Sequence, residues 1–175
     1  MIKIIDKDFI PYISAEEINE RVRELGKEIS LAYKDEKPLL VSVLNGAFIF
    51  TADLIRTIDT LVEVTFISVA SYEALKTTGK VREILGLKEN VFGRDILILE
   101  DIVDTGRTLE HLLEAFKDLG ANSIKVATLL HKPDAQEKAE KPDFVGFEIP
   151  NKFVVGYGLD YEGMGRELKD IYQLR

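Results

Sequence analysis

The chain has 175 residues, 46% of them hydrophobic and 31% charged, which suits one globular domain with a substantial core and argues against disorder. With no cysteine and only two histidines it can build neither a disulfide framework nor a thiolate or histidine-rich metal site. Its 31 acidic and 23 basic residues leave a net charge of -8, which opposes general nucleic-acid binding, so a phosphate-rich ligand needs local amides, placed cations or a metal.

The N-terminal stretch MIKIIDKDFIPYIS is charged and broken by Pro11, unlike a secretory signal. No apolar run approaches the roughly 18–20 residues that span a bilayer, so the expected location is the cytoplasm, with no membrane partner. Ser14 and Glu17 form a capping box that opens a helix, and Ile18, Val22, Leu25, Ile29 and Ala32 give it one apolar stripe. After Pro38, residues 39–44 predict a buried strand, broken at Asn45-Gly46 and followed by a helix over 47–57. Residues 61–69 predict a β-branched strand, 71–80 a polar segment, and 81–87 a returning strand. The strongest strand signal is 95–99, a run of large aliphatics. A helix over 105–119 follows, with Gly120 as its terminating residue, then a strand over 123–130. A charged loop over 132–143 and a short strand over 144–149 complete the pattern. Strands alternating with helices imply an α/β fold, with a largely parallel sheet that binds ligands at the carboxyl ends of its strands.

The most informative segment lies at such an end. The strand empties into Glu100 and Asp101, then Asp104, then Thr105-Gly106-Arg107-Thr108 at the start of a helix. Gly106 lets the backbone turn closely around a phosphate, and the helix N-terminus supplies N–H groups and a positive dipole. Thr105 and Thr108 add hydroxyls and Arg107 a cation. An acidic turn that merely caps a helix is common. Here, however, three carboxylates beside a phosphate cradle would repel the ligand unless they hold sugar hydroxyls or a hydrated divalent cation. A ligand with both ribose and phosphate meets these demands together.

The segment from Ile96 to Thr108 resembles the phosphoribosyl diphosphate signature of type I phosphoribosyltransferases, and other motifs resemble the hypoxanthine-guanine branch. Val43-Leu-Asn-Gly-Ala-Phe-Ile-Phe-Thr-Ala-Asp-Leu54 is similar to the diphosphate loop and its helix, and Ser71-Tyr72 to the start of a mobile lid. Lys141-Pro-Asp-Phe-Val-Gly-Phe-Glu-Ile-Pro150 and Lys152-Phe-Val-Val-Gly-Tyr-Gly-Leu-Asp-Tyr161 are similar to the purine-binding region. The resemblance implies a Rossmann-like, largely parallel central sheet flanked by helices. It also implies one domain over 1–175, with a small hood over the base site from N-terminal residues and roughly 132–175. The implied activity is purine salvage: magnesium-dependent transfer of the 5-phosphoribosyl group from phosphoribosyl diphosphate to N9 of hypoxanthine or guanine, or of xanthine. The products are the 5′-nucleotide and diphosphate. A homodimer or homotetramer is implied as well.

On the same resemblance Glu100 and Asp101 hold the ribose hydroxyls with metal help, and Asp160 contributes to a second magnesium site. Asp104, Thr105, Gly106, Arg107 and Thr108 bind the 5′-phosphate, while Asp104 also faces purine N7 and manages its proton. Lys132 lies near the base and Asp104. Leu44, Asn45 and Gly46 offer amides to the diphosphate through a cis peptide before Asn45, which stands where many relatives carry lysine. Lys152 donates to the 6-oxo group, Phe153 stacks on the base and Val154 adds backbone contacts. An ammonium cannot donate to the amino group of adenine, so such a site rejects adenine. Arg166 pairs with diphosphate, although Glu162-Gly-Met-Gly165 before it departs from the usual composition. Ser71 and Tyr72 belong to a lid that keeps water from an oxocarbenium-like ribose. Two other functions compete: a non-catalytic sensor of phosphoribosyl diphosphate that controls nucleic-acid binding, and a transferase for another base. The first needs a basic face, which the net charge does not suggest. The second is opposed by the purine-region match.

Overall fold

The computed structural model describes residues 1–68, 86–137 and 140–175. A five-stranded parallel sheet has the order β4-β3-β5-β6-β7, with β3 at Leu39–Leu44, β4 at Glu63–Ser68, β5 at Asp95–Val103, β6 at Ser123–His131 and β7 at Phe144–Glu148. Helix α1 (Ala15–Ala32) precedes β3, α2 (Phe48–Leu54) follows it and runs into a 3₁₀ turn at Ile55–Thr57, and α3 (Arg107–Asp118) joins β5 to β6.

Both faces of the sheet are buried, which is why β3 and β5 read as continuous apolar runs rather than alternating ones. Leu40, Leu97 and Leu99 point to one face, where they pack with Ile18, Val22, Leu25 and Ile29 of α1. Leu39, Val41, Ile96 and Ile98 point to the other and meet Leu109, Leu112, Ala115 and Phe116 of α3. The α1 stripe predicted from its spacing is the buried stripe, and the Ser14–Glu17 capping box is formed in both directions. Arg21 of the same helix donates to the carbonyls of Val145 and Gly146 at 2.8 and 3.0 Å and so covers part of the edge strand β7.

A second, antiparallel sheet has the order β1-β2-β9-β8, with β1 at Ile2–Ile4, β2 at Lys7–Ile13, β8 at Val154–Val155 and β9 at Ile171–Leu174. Its small core is Ile4, Phe9 and Val155. Pro11 sits where the β2–β9 register shifts, a position that tolerates its missing N–H. No strand in this region is expected from residue spacing, because β1, β8 and β9 are short, Pro11 interrupts β2, and the β2–β9 pair that holds the sheet together joins opposite ends of the sequence.

Two further boundaries differ from expectation. Strand β5 runs on past Leu99 through Glu100 and Asp101 to Val103, and α3 begins at Arg107 rather than at residue 105. The extra strand length comes from Ile102 and Val103, which keep the run pairing with β6. Residues 81–85 of the predicted returning strand lie outside the described residues, and Gly86 is in a turn with φ 66°. Among the described residues, no helix is long and apolar enough to cross a membrane.

Replacing Ser14 by alanine removes the cap of the helix that covers one sheet face. The expected loss is about 1 kcal/mol, or a fall in Tm of roughly 2–4 °C, measured by thermal unfolding; an unchanged Tm would show that packing alone fixes the α1 entry.

Candidate functional site

In the order β4-β3-β5-β6-β7 the chain moves outward from β3 in one direction and, beyond β5, in the other. Open α/β sheets form their binding crevice at such a reversal, outside the carboxyl ends of the two central strands. Those ends are Leu44-Asn45-Gly46 on β3 and Glu100 to Val103 on β5.

The Leu44–Asn45 peptide is cis, and α2 begins at Phe48. Gly46 lies against Asp101 so closely that a Cβ there would sit 1.8 Å from Asp101 Oδ2, so any side chain at 46 would displace that carboxylate. On its other side a Cβ on Gly158 would lie 2.1 Å from the Gly46 carbonyl oxygen. Gly158 also has φ 101°, a conformation that side chains rarely adopt. Two glycines thus bring the segment after β8 onto the β3 turn. Tyr157 fixes the same segment from below, donating its hydroxyl to Asp53 of α2 at 2.7 Å.

This contact carries Asp160 and Arg166 into the site. Arg166 donates to the Gly158 carbonyl at 2.6 Å and pairs with Asp160 at 2.6 Å, while Asp160 also accepts from the Gly163 N–H at 2.7 Å. The glycines flanking Arg166 adopt positive φ (Gly163 84°, Gly165 94°) and shape the loop that holds it. Leu44, Asn45, Gly46, Glu100, Asp101, Asp160 and Arg166 therefore share one end of the sheet.

The acids there are under electrostatic tension. Glu100 is buried, and that burial, with Asp101 beside it, pushes its carboxyl well above the ordinary range. Asp101 is pushed up to about 6, mainly by burial; Asp160 adds to the shift, whereas Arg166 and the backbone N–H groups of Asp101 and Ile102 oppose it. Among the described residues no three His, Asp or Glu side chains converge as a ready-made metal cage. The Glu100–Asp101 pair nevertheless fits a hard divalent cation that takes its remaining oxygens from a ligand and water, because a cation would relieve the cost of ionising both acids.

Beyond β5 the loop turns at Gly106, with φ 78°, into the N-terminus of α3. Thr105, Gly106, Arg107 and Thr108 form this turn, and Asp104 precedes it. Lys132, at the end of β6, donates its Nζ to Asp104 Oδ2 at 2.7 Å. The lysine side chain is only 7% exposed and the aspartate 44%, so the pair presents the carboxylate outward from a buried cation.

Phe153, 44% exposed, belongs to a different group, edge-on to Tyr161 at 5.9 Å and tilted against Phe9 at 6.3 Å. Lys7 lies over the Tyr161 ring at 4.3 Å, and Tyr161 donates to Asp6. Val154 is buried in β8, while Lys152 is exposed and makes no side-chain hydrogen bond or ion pair with the described residues. Ser71 and Tyr72 lie outside the described residues. Sequence spacing missed Asp53, Tyr157 and Gly158, which shape the site without touching its open side; the pair of alternating glycines at 156 and 158 was the available signal.

Comparison with known proteins gives one consistent result. The family described as phosphoribosyl transferase domain matches residues 14–162. A hypoxanthine-guanine phosphoribosyltransferase of Bacillus subtilis is 50% identical over 164 residues, covering 93% of this chain and 91% of the relative. The crystal structure of a hypoxanthine-guanine phosphoribosyltransferase from Bacillus anthracis superimposes with a TM-score of 0.84 at 36% identity, covering 97% of this chain and all of that one. The hypoxanthine phosphoribosyltransferase of Trypanosoma cruzi gives 0.84 at 38% identity, covering 94% and 95%.

The raised Asp101 pKa makes a signed stability prediction. Unfolded, the carboxyl ionises near 3.8; folded, near 6. The native state is therefore penalised increasingly as pH rises from 4 to 6, and fully above that. Without ligand or metal, Asp101→Asn should raise stability at pH 7.5 by on the order of 3 kcal/mol and leave it unchanged near pH 3.5. Equal Tm values for parent and variant at pH 7.5 would remove the buried-charge penalty.

Proposed function

The chain belongs to the phosphoribosyl transferase domain family, and from that premise we propose that it is a purine-salvage enzyme joining a 6-oxopurine to the phosphoribosyl group of phosphoribosyl diphosphate. Full-length similarity to hypoxanthine-guanine phosphoribosyltransferases supports hypoxanthine and guanine as bases. The observation that carries the reading is the meeting, at one sheet end, of adjacent acids of which Glu100 is buried, a glycine-turned helix N-terminus and a lysine–carboxylate pair.

In the reaction the bond from C1′ to the diphosphate oxygen breaks, with the electron pair leaving on diphosphate. A lone pair of purine N9 forms the new bond to C1′, and the base loses its imidazole proton. The Asp104–Thr108 turn would hold the 5′-phosphate through backbone amides and hydroxyls. Glu100 and Asp101 would fix the ribose hydroxyls, orienting C1′ toward the base. The Leu44–Gly46 turn and Arg166 would face the departing diphosphate, where amides and a cation stabilise developing charge. Asp104 would take the proton at N7. Glu100 and Asp101 would hold one magnesium and Asp160 would contribute to a second, and the metal when bound shields the diphosphate charge.

The geometry also bears on base selection. N7 and O6 are neighbours on one edge of a purine. If Asp104 faces N7, a cation bonded to its carboxylate would stand near O6, and Lys132 is 2.7 Å from Asp104. Lys152, exposed and unpaired with the described residues, has no such anchor. This favours Lys132 over Lys152 as the donor to the 6-oxo group. Phe153, the exposed ring of its cluster, would stack on the base, and the antiparallel sheet that bears it would form the hood.

Magnesium-dependent diphosphate release should occur with hypoxanthine and guanine and be at least about a hundredfold weaker with adenine. Lys132→Ala should lower kcat/KM for hypoxanthine by roughly a hundredfold or more, and Lys152→Ala by less than about threefold. The reverse ranking would return the 6-oxo contact to Lys152. No turnover with any base, but tight binding of phosphoribosyl diphosphate, would favour a sensor.

A further inference from the structure

The turn after β6 is tied to the loop after β5 at both ends. At the near end the Lys132 N–H donates to the Val103 carbonyl at 2.9 Å, beside the Lys132–Asp104 pair. At the far end the Glu137 N–H donates to the Thr105 carbonyl at 3.1 Å, and Arg107 donates Nε and Nη2 to Glu137 Oε2 at 3.1 and 2.7 Å. Between them the turn is braced by Ala135 N–H on the Lys132 carbonyl at 3.1 Å and by His131 Nε2 against Gln136 Oε1 at 2.7 Å.

Glu137 thus grips the loop on both sides of Gly106: its backbone holds residue 105 and its carboxylate holds residue 107. Gly106 has φ 78° and is the residue of the loop with the widest conformational freedom. A glycine-centred loop that must present several amides to one anion needs its two flanks fixed relative to each other. We propose that Glu137 is a positioning residue for phosphate binding, holding Thr105 and Arg107 so that the Gly106 turn is set before the phosphosugar arrives. The proposal rests on the reading of 104–108 as the 5′-phosphate loop. The ion pair itself is exposed, 65% on Arg107 and 52% on Glu137, so it adds little to global stability. Its effect is local order, felt as affinity. The pairing also neutralises a carboxylate that would otherwise stand uncompensated beside the phosphate.

The test compares the parent with Glu137→Ala, Arg107→Ala and the double variant. The readouts are KM for phosphoribosyl diphosphate, Kd for ribose 5-phosphate by calorimetry, and Tm. Glu137→Ala should raise KM and Kd roughly threefold to tenfold, with kcat at saturation within about twofold and Tm within about 2 °C. The double variant should be no weaker than the weaker single variant, because both remove one contact. Glu137→Gln, which keeps an acceptor oxygen and the backbone bond, should restore part of the affinity, and it replaces Glu137→Ala if that variant melts early. Unchanged affinity, additive losses, or a lowered KM would overturn the proposal; a lowered KM would mean that Glu137 withholds Arg107 from the phosphate. Turnover by the parent checks the underlying reading separately. An inactive parent sinks the phosphoribosyl assignment, whereas an active parent with insensitive variants sinks only the role of Glu137.

Discussion

Two adjacent carboxylates end a central strand, one buried in the sheet and the other against a backbone with no side chain to separate it. Glu100 is inside the sheet, and Asp101 is in contact with Gly46. Burial raises both acids, a configuration that folding alone would disfavour. Neighbouring elements are arranged around that pair: Gly46 packs against Asp101, Gly158 closes on Gly46, and Arg166 supplies a cationic influence that lowers Asp101. Stability is surrendered at a single point so that the free protein is ready for a ligand rich in hydroxyls and accompanied by a cation.

The central sheet supplies the rigidity this requires. Because alternate residues of β3 and β5 enter different cores, both strands are gripped from two sides as far as their carboxyl ends. The functional groups begin where that grip stops. Strand order then brings together groups far apart in sequence, with Leu44 to Gly46 and Glu100 to Asp104 meeting at the reversal between β3 and β5.

Much of this was legible in the residues. The capping box at Ser14, the α1 stripe and the aliphatic runs of β3, β5 and β6 signal local structure by local means, and the acidic turn before Thr105-Gly106-Arg107-Thr108 carries its own chemistry. What escaped the spacing analysis depends on contacts between distant segments. β2 and β9 pair across nearly the whole chain; β9 is short, and Pro11 breaks the regularity of β2. The glycines before Arg166 looked like a disturbance, whereas their positive φ values shape the loop that returns the guanidinium to Asp160 and Gly158. Burial likewise separates two lysines that sequence treats alike, since Lys132 is enclosed beside Asp104 and Lys152 is not.

The antiparallel sheet has a consequence for the order in which the protein is made. Strand β2 is synthesised before the parallel sheet, but both β9, its neighbour, and β8, the strand beyond, emerge only after the whole parallel sheet has been translated. A nascent chain can thus assemble the phosphate-side loops on β3 and β5 while the aromatic ring of Phe153 still lacks its platform. During translation β2 exposes an unsatisfied strand edge and Phe9 an unburied face. Competence toward the two halves of the substrate pair is therefore acquired in sequence, with the side that bears Phe153 completed last.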